Sequence, residues 1–186
     1  MLGFIFIDNP QNVKTITGFK PISDQHAKIL ILGSMPSEES LRKQQYYGHA
    51  RNAFWRIMLS ILQDDSTHEM SEYSQRKNCL ITNNIAVWDV LQRCYRSGSL
   101  DSAIKMDSIK TNDFLKFFKQ HPTISKVCFN GAKAEAIYLK AVLPTVKEQF
   151  NHLNYVKLPS TSPAYAAMSL QQKMAIWKKE IKDHRL

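Results

Sequence analysis

In Lys28-Ile29-Leu30-Ile31-Leu32-Gly33-Ser34-Met35-Pro36-Ser37 an apolar run meets a Gly-x-x-Pro loop, and the architecture follows from that junction. Lys28–Leu32 is a short run rich in aliphatic and β-branched side chains, and Gly33 stops it, which predicts a strand entering a loop. A second stretch of the same form lies far downstream, where Tyr155–Leu158 predicts a strand that enters Pro159-Ser160-Thr161-Ser162-Pro163-Ala164. In an α/β sheet the residues just past the strand carboxyl ends converge on one crevice, and ligands bind there. The two loops are therefore expected to meet.

Between and around them the periodicity alternates. Leu80–Val87 reads as a second strand or a strand plus turn, and Val127–Asn130 as a third, stopped by Gly131. Ser37–Gln45 holds a helical turn. Asn52–Gln63 places Phe54, Ile57, Met58, Ile61 and Leu62 on one helical face. Asp107–His121 suggests a helix with Phe114, Leu115, Phe117 and Phe118 on its apolar side, and Ala132–Val142 another that Pro144 ends. Ser169 with Gln172 is a capping-box pattern. Leu170, Met174, Trp177 and Ile181 then form one stripe, opposite a face of Lys173, Lys178, Lys179 and Lys182 that is either solvated or flanks a polyanion. Residues 1–26 read as irregular, with Gly18–Ile22 packing across a sheet edge. Strands separated by helical stretches predict a three-layer α/β/α domain with a short, mostly parallel four-stranded central sheet, one domain over 1–186. The strand order is not readable.

Composition bounds the function. The chain has 186 residues, is 44% apolar and carries a formal net charge of +9. That excess suits an anionic partner, nucleic acid first, although charge alone fits an ordinary basic protein as well. Cys79, Cys94 and Cys128 form no Cys-x-x-Cys pair and read as reduced thiols in a cytoplasmic protein. The six histidines show no ligand spacing, so no metal is expected. No Gly-x-Gly-x-x-Gly or Walker loop is present, which counts against a nucleotide cofactor; no cofactor is expected. Met1–Ile7 is too short for a signal peptide and no apolar run approaches a membrane span, so no membrane partner is expected. A monomer is expected.

The first loop continues into Tyr46-Tyr47-Gly48-His49-Ala50-Arg51-Asn52-Ala53-Phe54-Trp55. Gly33 allows close backbone approach to a ligand, and Pro36 stiffens the loop. Aromatic rings stack on an extruded base. Tyr47 precedes the helix and reads equally as the stacking residue or as simple packing, whereas Phe54 and Trp55 read as core. Asn52 carries a donor and an acceptor in one amide. It suits a helix N-cap, and equally the holding of a water or a base edge.

Together the two motifs resemble those of the uracil-DNA glycosylase superfamily, in particular its hypoxanthine (deoxyinosine) DNA glycosylase branch. Ile85–Leu91, Gly98–Ser102 and Phe129–Ala134 carry the same likeness, which runs from about Gly18 to Trp177. The resemblance implies a four-stranded parallel core and a monofunctional DNA glycosylase of base excision repair. Such an enzyme flips a deaminated base out of damaged DNA and hydrolyses its N-glycosidic bond. Met35 stands where mismatch-specific relatives carry the Asn that positions water, and where classical members carry Asp. Asn52 is the only Asn between Gly33 and Trp55 and is the expected catalytic residue. The resemblance places Gly33, Ser34, Met35, Pro36, Tyr47 and His49 in the base pocket, and with them Asn83 or Asn84, a pair that reads equally as turn-forming. It places Ser37, Arg51, Pro159, Ser160, Thr161 and Ser162 on the DNA, with Tyr165 or Met168 as a wedge. Three cysteines cannot supply the four ligands of the superfamily's iron–sulfur members. Asp89 is open between a structural role and a place near the pocket.

The expected partner is damaged duplex DNA, with single strands as the alternative. Other readings stay open: the same enzyme class acting on uracil or mismatched thymine, a non-catalytic nucleic-acid-binding module on the same fold, and a small-molecule α/β enzyme using the Pro-Ser loop for phosphate.

Overall fold

The computed structural model describes residues 15–63 and 72–182; the first part of the stretch read as irregular, residues 1–14, lies outside them. Four parallel strands form the central sheet: β2 (Ile29–Gly33), β3 (Ile85–Asp89), β6 (Lys126–Asn130) and β7 (Asn154–Leu158), in the spatial order β3-β2-β6-β7. Ile29, Leu30, Ile31 and Leu32 are all buried, as a parallel strand covered on both faces requires. The chain lays β3 on one side of β2 and then crosses to lay β6 on the other. The carboxyl ends of β2 and β6 are thus the topological switch point, where such sheets bind ligands.

Among the described residues, helices α1 (Glu38–Lys43), α2 (Phe54–Leu62), α3 (Tyr73–Thr82), α4 (Phe114–Gln120), α5 (Ala132–Ala141), α6 (Leu143–Val146) and α7 (Leu170–Lys182) flank the sheets. One group, α2, α3 and α7, is joined through Phe54 edge-on to Trp177 at 6.0 Å. The other group, α4, α5 and α6, is joined through Phe114 edge-on to Tyr138 at 5.3 Å. The expected capping box is formed at the start of α7: Gln172 N–H donates to Ser169 Oγ, and Ser169 N–H donates to Gln172 Oε1.

Three features differ from the expectation. Leu80–Thr82 is the end of helix α3, not strand; Asn83 and the left-handed Asn84 turn the chain into β3. A buried helical face and a buried strand give the same short apolar run. The helix expected over Asp107–His121 begins only at Phe114, where the Asp113 carboxylate accepts from Lys116 N–H and caps it. Before it, Lys110–Thr111 is strand β5. It belongs to a second sheet, β1-β4-β5, with β1 (Thr15–Thr17) and β4 (Leu91–Tyr95), all antiparallel. Ile22 pairs with Val87 at the edge of β3, where the Gly18–Ile22 stretch was expected to pack. Pro144 does follow α5, and also opens the first turn of α6, a position that loses no helical hydrogen bond.

Candidate active site at the carboxyl ends of the parallel strands

All four parallel strands deliver residues to one cavity of about 290 Å³. β2 brings Gly33 and the Ser34–Ser37 loop, and β3 ends on Asp89. From β6 come Asn130 and Gly131, while β7 leads into Ser160–Ser162. The connection from α1 to α2 adds Tyr46, Tyr47 and Asn52. The excursion after β4 adds Ser99, Leu100 and Asp101.

Gly33 forms the floor. A Cβ there would collide with the Asp89 carboxylate and would meet the Tyr47 hydroxyl at 3.4 Å. Tyr47 is held in the left-handed region, φ 53°, with its ring stacked on Phe54 at 3.8 Å. One face is thus packed against the core, and the hydroxyl is buried beside Asn130 without a hydrogen bond of ordinary geometry. Burial, reinforced by the Asp89 charge, pushes the Tyr47 phenol far above its usual range.

Asn52 stands one residue before the geometric N-cap, which is Ala53. Its Oδ1 accepts from Phe54 N–H at 2.9 Å, a short turn rather than the expected cap. Among the described residues its Nδ2 has no partner, and the side chain lines the cavity. Met35 is buried in the same wall, so the loop after β2 offers an apolar side chain where an amide would otherwise stand.

A clasp joins the two motifs. Asn130 Nδ2 donates to Thr161 Oγ1 and Thr161 N–H donates to Asn130 Oδ1, both at 2.9 Å. Thr161 C=O then accepts from Ala53 N–H at 3.0 Å, beside Asn52. Gly131 (φ 99°) lies so close to the second loop that a Cβ would stand 2.9 Å from Ser160 Cβ. Helix α7 holds the loop from behind: Trp177 Nε1 donates to Pro159 C=O, and Lys173 Nζ to Tyr165 C=O. Lys173 is therefore buried, not on the solvated lysine face expected for it.

The structure gathers Gly33, Ser34, Met35, Pro36, Ser37, Tyr47, Asn52, Ser160, Thr161 and Ser162 around the cavity. Pro159 sits just behind it. His49 and Arg51 are outside the lining; His49 Nδ1 accepts from Arg51 N–H, and the Arg51 side chain is exposed. Asn83 is displaced to the opposite end of the sheet, before β3 begins, and its amide donates to Cys79 C=O. An Asn ahead of a strand serves the amino end, whereas the cavity is at the carboxyl end. Tyr165 is exposed at the cavity edge and Met168 is not part of the lining.

Three further groups line the cavity; sequence reasoning left Asp89 open between a structural role and the pocket, and gave Asp101 and Asn130 no role. Asp89 is 4% exposed, and among the described residues its Oδ2 has no hydrogen-bond partner. Burial, with the nearby Asp101 charge, raises its pKa to about 8, against a weaker opposing pull from Arg96. Asp101 accepts from Ser34 Oγ at 2.6 Å, and buried Arg96 donates to Pro36 C=O and Gly98 C=O. Asn130 is the third. An acid closing the apolar run Ile85–Trp88, and an amide closing Val127–Phe129, were the available signals: polar side chains at the carboxyl ends of buried strands.

The uracil DNA glycosylase superfamily model matches residues 19–182. A hypoxanthine DNA glycosylase of Methanosarcina barkeri is 41% identical over 117 residues, 63% of this chain and 72% of that protein. The hypoxanthine DNA glycosylase of Methanosarcina acetivorans is 42% identical over the same extent. The solution NMR structure of a Methanosarcina acetivorans protein, assigned provisionally as a uracil DNA glycosylase, superposes with a TM-score of 0.73 at 33% identity. It covers 91% of this chain and 98% of its own. The chain belongs to the uracil DNA glycosylase superfamily and is a DNA N-glycosylase.

Proposed function

We propose that this member of the superfamily excises hypoxanthine from damaged duplex DNA, hydrolysing the bond between the base and C1′ without a covalent link to the sugar. One observation carries the reading: Asn52, whose amide Nδ2 has no partner among the described residues, shares a cavity with both motif loops at the switch point of the sheet. The relatives named for hypoxanthine support the choice of base.

The basic chain approaches DNA electrostatically. Flipping the base costs a few kcal/mol, least at a mismatch, so part of the selectivity precedes contact with the pocket. The Ser160–Ser162 loop and the amino end of α5, with Lys133, line the cavity wall where a strand phosphate is best received. Leu100, 58% exposed, and Tyr165 stand at the cavity edge as apolar groups able to enter the stack the base has left. In the pocket Asn52 holds the attacking water through Nδ2, since its oxygen is committed to Phe54 N–H. The Gly33–Ser37 backbone faces charge building on the departing base.

The test is base release from labelled duplexes carrying hypoxanthine opposite T, uracil opposite G, or normal bases, followed by alkaline cleavage at abasic sites. Cleavage at hypoxanthine that is lost in Asn52→Ala supports the reading. Preferential cleavage at uracil moves the substrate within the class, and binding with no release of any base sinks the reading.

A further inference from the structure

We propose that Asp89 is a catalytic residue of this site, its protonated carboxyl donating to N7 of the flipped purine as the glycosidic bond breaks. The role rests on the hypoxanthine reading above and adds to it a proton donor for the leaving base.

Asp89 Oδ2 is a buried carboxyl oxygen without a hydrogen-bond partner among the described residues. Buried polar groups are nearly always hydrogen-bonded, and exceptions need a reason. Asp89 ends β3 on the cavity wall. The charged and titratable groups around it are otherwise engaged or neutral. Arg96, just after β4, donates Nε and Nη2 to two carbonyls and keeps a buried Nη1 without a partner among the described residues, so its charge pulls against the neutral acid but is outweighed by burial. Asp101 takes the Ser34 hydroxyl. Tyr46 and Tyr47 present phenols that burial keeps protonated. An unpaired carboxylate is expensive in such a place, and the neutral acid avoids that cost. Burial accordingly holds the group protonated to about pH 8. The open space beside it is the base cavity, and Gly33, lacking a side chain, keeps that approach clear.

The step balances without another reagent. The N9–C1′ bond breaks and its electron pair stays on the base. The Asp89 proton moves to N7, so hypoxanthine leaves neutral. Water adds its oxygen to C1′ and releases a proton to solvent, and the Asp89 carboxylate takes one back. A donor whose pKa lies near the working pH is well matched to this task.

Single-turnover release of hypoxanthine, measured from about pH 6 to about pH 9.5, is the experiment. The wild type should hold a plateau and lose about tenfold per pH unit above about pH 8. Asp89→Asn should be slower by roughly 10²–10⁴, with no break near that pH and unchanged DNA affinity. A duplex carrying 7-deazahypoxanthine, which lacks N7, should slow the wild type and leave Asp89→Asn no slower than before. The wild-type profile and the N7-lacking base test the role even where the variant folds poorly. A wild type that releases hypoxanthine with a flat profile across pH 8, or whose loss at Asp89→Asn adds fully to the loss of N7, overturns the role alone. A wild type that releases no hypoxanthine overturns the substrate reading and the role with it.

Discussion

Asn130 and Thr161 exchange two hydrogen bonds of 2.9 Å between the end of β6 and the loop after β7. Thr161 then holds Ala53, next to Asn52, through its carbonyl. Two strand ends and a helix start are thereby fixed to one another by three bonds. Asn130→Ala should remove two of them and leave Thr161 N–H unpaired in a buried place, costing about 1–3 kcal/mol. Base release should fall by more than tenfold. Thr161→Val keeps the bond from its own N–H and should cost only about 1 kcal/mol. Thermal melts and single-turnover assays on both variants check the order.

Asn52 separates fold from chemistry through its two amide atoms. Asn52→Asp keeps an oxygen for Phe54 N–H, so stability should stay within about 0.5 kcal/mol. It lacks Nδ2, and base release should collapse. Asn52→Ala should lose both, with about 1 kcal/mol off the stability. Affinity for a duplex carrying hypoxanthine, measured by fluorescence anisotropy, should change little in either. A fully active Asn52→Asp would refute the water-holding role.

Gly131 combines a backbone conformation that side chains rarely adopt with a close neighbour, Ser160. Gly131→Ala is expected to cost about 1–3 kcal/mol and to push the Pro-Ser loop outward. Weaker binding to undamaged duplex DNA, read in the same anisotropy assay, is the expected sign. Wild-type affinity with a lowered melting temperature would restrict the effect to the fold.

Asp89 also bears on stability. Its folded pKa of about 8 lies above the ordinary 3.8. Below about pH 4 the group is neutral folded and unfolded, and contributes nothing. Between those values the unfolded chain releases the proton more readily, so stability declines as pH rises; above about pH 8 the loss is complete and constant. Asp89→Asn removes the decline. Its melting temperature should exceed the wild type's at pH 8, by about 2–4 °C per kcal/mol relieved, and the gap should close toward pH 4.

Leu100 is exposed at the cavity edge although it is a large apolar residue. If it enters the stack, Leu100→Ala should slow release most for hypoxanthine in a well-paired context and least opposite a mismatch, where flipping is cheap. Equal slowing in every context would assign it to packing.

Three of the four parallel strands were legible because each is a short run closed by a turn residue: Gly33 at the end of β2, Gly131 after β6, Pro159 after β7. The antiparallel sheet was not, since its strands are two to five residues long and β4 buries only Leu91 and Cys94, three apart, so it shows no strand alternation. At the site, Asn52 and the two loops were readable as local patterns. Asn83 was misplaced because an apolar run that ends a helix was read as strand, which reversed the end of the sheet it marks. Asp89 and Asn130 gain meaning only from what surrounds them in space. One residue in an apolar run says that an acid is buried, but not that its neighbours leave it unpaired.

Helix α7 supplies no atom to the cavity wall, yet Trp177 and Lys173 grip the carbonyls of Pro159 and Tyr165. During synthesis every residue lining the site therefore emerges before the element that fastens its last loop. A nascent chain holding both motifs has no finished active site until α7 has folded back against α2. Competence on DNA comes late, as an event of assembly rather than of motif content.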